Sequence, residues 1–270
     1  MIIRDRQFDT ERHTYIMGIL NTTPDSFSDG GKYNNLDAAL RRAEEMIQEG
    51  ADILDIGGES TRPGHTQITD DEEISRTAPI IAAIRKRFDI PLSIDTYKAS
   101  VAQCALEAGA DLVNDIWGLQ YDPKMAKTIQ KFHVSCCLMH NRKKPDYQDF
   151  FPDFLDDLRA CIRTAKDAGI PDDRILLDPG VGFGKTYEMN LAVIRNLDCM
   201  KTLGYPVLLG TSRKSVIGLT LDLPTSQRDE ATLATTVYGM LKGCSFVRVH
   251  NVQANVRAVK MAEAIRDCTL

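Results

Sequence analysis

Short apolar, β-branched runs alternate along the chain with amphipathic stretches. The runs cover 15–20, 52–56, 92–94, 112–113, 134–139, 175–177, 207–209 and 246–249. Each is apolar through both faces and bounded by Gly, Pro, Asp or Asn, the pattern of strands covered on both sides by helices. Between them the apolar positions recur at helical spacing. Leu36, Ala39, Leu40, Ala43, Met46 and Ile47 form one stripe, and Val252, Val256, Val259, Ala262 and Ile265 another. Gly50 and Gly109 directly follow predicted helices, where a left-handed cap belongs. Eight such βα units in 270 residues predict an α/β fold, a single-domain (β/α)8 TIM barrel spanning 1–270. A doubly wound sheet is the competing architecture. No linker-like change of composition interrupts the chain.

The residues that close these runs are polar: Asn21, Gly57-Gly58-Glu59, Asp95, Asn114-Asp115, His140, Asp178, Ser212-Arg213-Lys214 and Arg248 with His250. Polar residues end apolar strands in any protein. A near-complete ring of Asn, Asp, Lys, Arg and His is better explained by a barrel's C-terminal face, where a site draws on several strands at once. Two long segments follow the first two runs, NTTPDSFSDGG at 21–31 and GGESTRPG at 57–64. Both read as βα loops able to fold over a ligand. In the second, Thr61 and Arg62 offer a hydroxyl and a guanidinium fork suited to phosphate. Phe27 and Pro63 offer flat apolar surfaces.

The formal charge of −5 argues against a nucleic-acid binder, which carries a basic footprint, but leaves room for a local basic pocket. No apolar stretch approaches the roughly 18 residues that cross a bilayer, and the charged N-terminus lacks the apolar core of a signal peptide. The seven cysteines form no C-x-x-C pair, which favours reduced, mostly buried thiols over a zinc site and predicts a cytoplasmic protein.

DPGVGFGKT at 178–186 tempts a nucleotide-loop reading, which its spacing rejects. Only three residues separate Gly180 from Gly184, and Lys185 stands where a dinucleotide fingerprint has its third glycine. Its glycines are expected to let the backbone pass close to a flat ligand and to Phe183. Arg248 and His250 alternate along one strand and so face the same way, in the region where barrels often bind phosphate. Asp95, Asn114, Asp178 and Lys214 supply two carboxylates, an amide and an amine. Such a set can pair with every edge of a pterin or purine, whose donors and acceptors alternate. Paired carboxylates also suit glycosidases, but that reading leaves the phosphate-type groups unexplained.

MGILNTTPDSFSDGG, DILDIGGESTRPG, SIDT, NDIWG, LMH, LDPGVGFGKT, GTSRKS and FVRVH together resemble the dihydropteroate synthase family of folate biosynthesis, from Met17 to the last helix. The resemblance implies condensation of 6-hydroxymethyl-7,8-dihydropterin pyrophosphate with 4-aminobenzoate, releasing pyrophosphate, with Mg2+ required. It implies pterin binding by Asp95, Asn114, Asp178 and Lys214, pyrophosphate contacts from Thr61, Arg62, Arg248 and His250, and magnesium at Asn21. Phe27, Pro63, Phe183 and Ser215 would line the aminobenzoate pocket, where sulfonamides compete. Asp95, Lys214, Arg248 and His250 would carry the chemistry, and a homodimer is implied. SIDT and NDI also suit methyltetrahydrofolate methyltransferases, and a non-catalytic pterin-binding paralogue would keep the ring-binding set.

Overall fold

The computed structural model describes residues 1–23, 32–60 and 66–269. A short antiparallel hairpin, β1 (Ile2–Ile3) and β2 (Arg6–Gln7), precedes the repeating units. Then follow β3 (Tyr15–Asn21), α1 (Lys32–Glu49), β4 (Ile53–Gly57), α2 (Asp70–Arg87), β5 (Leu92–Asp95), α3 (Ala99–Glu107), β6 (Leu112–Asp115) and α4 (Met125–Phe132). The second half runs β7 (Ser135–Met139), α5 (Phe150–Asp167), β8 (Ile175–Asp178), α6 (Tyr187–Arg195), β9 (Leu208–Leu209), α7 (Ser215–Leu221), α8 (Asp229–Leu241), β10 (Phe246–Val249) and α9 (Val252–Arg266).

β3 to β10 pair in parallel, each with its chain neighbours, and β10 returns to pair with β3. β8 and the start of β9 meet through a parallel bridge between Leu177 and Val207, closing the ring. The eight-unit prediction is met by a TIM barrel, and the strands begin and end within about two residues of the predicted runs. Gly50 and Gly109 take φ of +101° and +110°, as helix-ending residues should. One detail differs. Ile265 does not complete the α9 stripe but is 66% exposed.

The two faces of the strands carry different residues. Outward side chains, such as Leu54, Ile56, Ile94, Val113, Leu138, Leu177 and Val247, pack beneath the helices in one large core. Inward side chains form a smaller cluster of Met17, Ile53, Leu112, Cys137, Leu176, Leu208 and Phe246. Ile3 and Phe8 of the hairpin segment join that cluster and plug the N-terminal end of the barrel. Two residues further along four of these strands, on the same face, the inward position turns polar: Asp55 follows Ile53, Asn114 follows Leu112, Asp178 follows Leu176 and Arg248 follows Phe246. An apolar floor with a polar layer above it is what the alternation builds.

Candidate functional site

The polar layer opens into a cleft of about 680 Å³ at the C-terminal end of the barrel, lined by Asn21, Asp95, Phe183, Lys214, Ser215, Arg248 and His250 among others. The volume suits a small organic substrate. Of the residues singled out in the sequence, Phe27, Thr61, Arg62 and Pro63 lie outside the described residues.

Arg248 stands at the centre of the layer. Its Nε donates to Asp55 Oδ2 at 2.5 Å and its Nη2 to Asp95 Oδ2 at 2.6 Å. Asn114 Nδ2 donates to the same Asp55 oxygen at 3.2 Å. The second oxygen of each carboxylate, Asp55 Oδ1 and Asp95 Oδ1, is buried and has no hydrogen-bond partner among the described residues. A buried acceptor left open in this way is costly unless a ligand donates to it. Burial, offset in part by Arg248, pushes the Asp95 carboxyl up to about 7.

Asp178 stands across from this group, and its Oδ1 accepts from Gly180 N at 2.7 Å. A Cβ built on Gly210 would lie 3.5 Å from Asp178 Oδ2, 3.9 Å from Lys214 Nζ and 4.0 Å from the Arg248 side chain, so this glycine keeps the space between the three open. Lys214 donates to Val181 O and places its ammonium 4.7 Å from the centre of the Phe183 ring. Burial pulls Lys214 down to about 8, against the attraction of Asp178. Phe183 itself packs with Tyr97, Ile116, Trp117 and Met139 at the rim. On the other side His250 Nδ1 pairs with Ser212 Oγ at 2.9 Å, and Arg213 is tied to Asp229 at 2.7 Å and 2.9 Å.

The structure therefore brings Asn21, Asp95, Asn114, Asp178, Phe183, Lys214, Ser215, Arg248 and His250 to one end of the barrel. Arg248 and His250 both line the cleft, as their alternation requires. The guanidinium of Arg248 is nevertheless not an open rim charge, because two carboxylates already compensate it. Two members of the polar ring face away. Asp115, next to inward Asn114, points outward and accepts from Trp117 N and Leu119 N, both at 2.8 Å. His140, next to inward Met139, is wholly buried against Asp157, 3.0 Å away.

Asp55 was not singled out from the sequence, Glu59 was given no role there, and the reason expected for the glycines of the 178–186 turn is corrected by the structure. Asp55 sits within an apolar strand rather than at its end. Glu59, which lines the cleft, accepts from Tyr97 Oη at 2.5 Å and from Lys98 Nζ at 2.6 Å, and Lys98 also pairs with buried Glu73 at 2.7 Å. Burial opposes the Lys98 charge, but the two carboxylates outweigh it and raise its pKa. The third point is why the 178–186 turn needs glycine. Only Gly182 borders the cleft. Gly180 and Gly184 instead press on the neighbouring chain: a Cβ at Gly180 would fall 1.9 Å from His140 O, and one at Gly184 2.6 Å from Arg142 O. Both have positive φ. Gly180→Ala is expected to cost roughly 3 kcal/mol or more of stability, read from urea unfolding. A loss below about 1 kcal/mol would show that the turn can move away from His140.

A barrel with this donor and acceptor set around an open cleft is built to hold a flat heterocycle by its edges. A family model described as pterin binding enzyme matches residues 17–250, and fold and site together define a member of that class. A relative from Clostridium beijerinckii, a dihydropteroate synthase, is 59% identical over 98% of this chain and 99% of its own. The crystal structure of a dihydropteroate synthase from Clostridium difficile in the presence of pteroic acid is 51% identical, with a TM-score of 0.94, covering 96% of this chain and 99% of that one. A Xanthomonas albilineans dihydropteroate synthase with 4-aminobenzoic acid is 39% identical, with a TM-score of 0.91, covering 95% and 94%. Within the pterin binding enzymes, the chain belongs to the dihydropteroate synthase family.

Proposed function

We propose that the cleft condenses 6-hydroxymethyl-7,8-dihydropterin pyrophosphate with 4-aminobenzoate, giving 7,8-dihydropteroate and pyrophosphate. The observation that carries this reading is the pair of open buried oxygens, Asp55 Oδ1 and Asp95 Oδ1, beside Asn114, Asp178 and Lys214. A pterin ring bears N–H groups able to satisfy those acceptors and acceptor atoms for the lysine and the amide. A purine-like ring without a leaving group would fit the same floor. It would leave His250 and Ser212 without a purpose at the mouth.

The bond between the pterin methylene and the pyrophosphate oxygen breaks with its electron pair going to pyrophosphate. The methylene cation left behind is delocalised into the electron-rich ring and lies in the field of the Asp95 carboxylate. The amine nitrogen of 4-aminobenzoate then forms the new C–N bond and releases its proton, so the displacement is SN1-like. Lys214 and His250 offset charge on the departing group, a role the resemblance gives also to Thr61 and Arg62, while Arg248, compensated by Asp55 and Asp95, holds those carboxylates in place. Phe183 and Ser215, which line the cleft, would face the aminobenzoate, where a sulfonamide would compete; the resemblance gives Phe27 and Pro63, outside the described residues, the same role.

Asn21 suits the magnesium that this chemistry calls for. A Cβ on Gly57 would lie 3.8 Å from Asn21 Oδ1 and 3.7 Å from Asp95 Oδ2, so an amide oxygen and a carboxylate border one gap. Such a set would hold the ion through few protein ligands and leave it to the pyrophosphate, as is common for Mg2+. When bound, the ion supplies charge neutralisation for pyrophosphate.

No helix among the described residues is long and apolar enough to cross a membrane, and the free cysteines suit the reducing cytoplasm. Leu219, Leu221, Leu241, Met261 and Ile265, on α7, α8 and α9, are exposed and support a homodimer through that side of the barrel. The deciding assay mixes protein, dihydropterin pyrophosphate, 4-aminobenzoate and Mg2+. Pyrophosphate should appear only when the amine is present, in equal amount to dihydropteroate. Tight pterin binding without product would identify a silent binding protein instead. Methyl transfer from methyltetrahydrofolate would identify a methyltransferase.

A further inference from the structure

Behind the Phe183 wall lies a hydrogen-bonded chain that takes no part in the reaction just described. Lys185 Nζ lies 2.8 Å from His140 Nδ1 and donates to Gly180 O at 2.9 Å and Phe183 O at 3.0 Å. All three protons of an ammonium group are thereby placed. His140 Nε2 is 3.0 Å from Asp157 Oδ2, and the same carboxylate receives Arg142 Nε at 2.6 Å. Burial drives His140 down to about 4, so the ring is neutral. Its Nε2 carries the proton donated to Asp157, and its Nδ1 is free to accept from Lys185. Burial pulls Lys185 down to about 7, against the attraction of Asp178; with its proton in place, cation, neutral ring and anion line up from the turn to helix α5.

The turn they hold is short and fully tied. Phe183 N donates to Gly180 O at 3.1 Å, Gly182 N to Asn190 Oδ1 at 2.6 Å, and Tyr147 Oη to Gly184 O at 2.7 Å. The Phe183 N–Gly180 O bond closes the turn on itself, and among these side chains the Lys185 ammonium holds both ends of it at once. It does so from the side away from the cleft, and the Phe183 ring and the Val181 carbonyl that receives Lys214 both hang from that turn. Asp55, Asp95 and Asn114 are held by the barrel strands and do not depend on it, while Asp178 and Lys214 each touch it through one hydrogen bond, to Gly180 N and Val181 O.

We propose that Lys185 is a positioning residue for the arylamine subsite, its ammonium fixed by His140 and Asp157 and itself fixing the Phe183 wall. The inference rests on the proposed function, because that reading makes Phe183 a wall for 4-aminobenzoate. It also explains why this stretch looks like a phosphate loop in the sequence: the lysine turns inward to the backbone of its own turn.

The test is a split between the two substrates. In Lys185→Met the KM for 4-aminobenzoate is expected to rise at least tenfold. The Kd for a non-reacting pterin, by calorimetry, should change less than threefold. A barrel merely loosened by the substitution would weaken both. Asp157→Asn, on the half-exposed end of the chain, should give the same split in smaller measure, two- to fivefold, and it decides the matter if Lys185→Met fails to fold. An unchanged KM in the folded variants, or equal losses for both ligands, overturns the proposal. Product formation by the unaltered protein tests the underlying reading separately, so the two cannot fail unnoticed together.

Discussion

Asp95→Asn is expected to lower kcat by about a hundredfold or more while pterin affinity falls no more than about tenfold. The asymmetry follows from what the side chain must do at each stage. In the ground state Asp95 is one of several groups that hold the ring, and asparagine keeps the oxygen that accepts a ring N–H. In the transition state a full positive charge develops on the pterin methylene, and only a carboxylate responds to it. The low-dielectric interior that makes Asp95 costly to ionise also makes its charge effective. Steady-state kinetics and calorimetry on the same preparation separate the two quantities. Equal losses in kcat and affinity would mean that Asp95 binds but does not stabilise the cation.

The pH profile adds an independent check. Burial holds Asp95 up at about 7 and Lys214 down at about 8. The carboxylate must be charged and the ammonium protonated, so kcat/KM for the pterin substrate should rise through about 7 and fall again through about 8. Asp95→Asn should erase the acid limb and leave the alkaline one. An acid limb that persists in the variant would assign it to another group.

The barrel was legible in the sequence because its strands are buried on both sides, and apolar β-branched runs at regular intervals announce that. The polar layer at the barrel mouth was legible where a polar residue closed or soon followed such a run: Asn21, Asp95, Asn114, Asp178, Lys214, Arg248 and His250. The same rule failed in two directions, both for reasons of parity. Asp55 lies two residues beyond Ile53 and two before Gly57, inside a strand, so a search at strand ends passes over it. Counting in twos from the inward apolar residue would have found it, since Ile53, Leu112, Leu176 and Phe246 each point to their polar partner two places on. His140 and Asp115 sit at strand ends but on the outward face, so they brace the rim from behind. The role of Lys185 was not legible at all. It depends on His140 and Asp157, brought to it from 45 and 28 residues away in the chain, and no local spacing encodes that.

Arg248→Met carries the largest expected loss of stability, about 3–5 kcal/mol, because it strands two buried carboxylates that the guanidinium now neutralises. Methionine fills much of the same volume, so cavity formation contributes little and the electrostatic effect dominates. The loss should depend on pH, and its sign follows from linkage. Asp95 in the folded protein titrates near 7, whereas in the unfolded chain it titrates near the ordinary value of about 3.9. Between these values the folded protein keeps a proton that the unfolded chain has released, so the Asp95 contribution to stability falls as pH rises through that window. Removing Arg248 takes away the main influence that lowers the Asp95 pKa, which widens the window upward. The variant should therefore lie furthest below the unaltered protein at pH 8 and recover part of the difference at pH 5.5, where its Asp95 carboxyl takes up a proton. Adding Asp55→Asn to Arg248→Met should restore part of the stability by deleting one of the stranded charges, although neither protein would be active. Urea unfolding at the two pH values checks this. A deficit below about 1 kcal/mol, or one equal at both values, would mean that water reaches Asp55 and Asp95 and that the arginine is not what makes their burial tolerable.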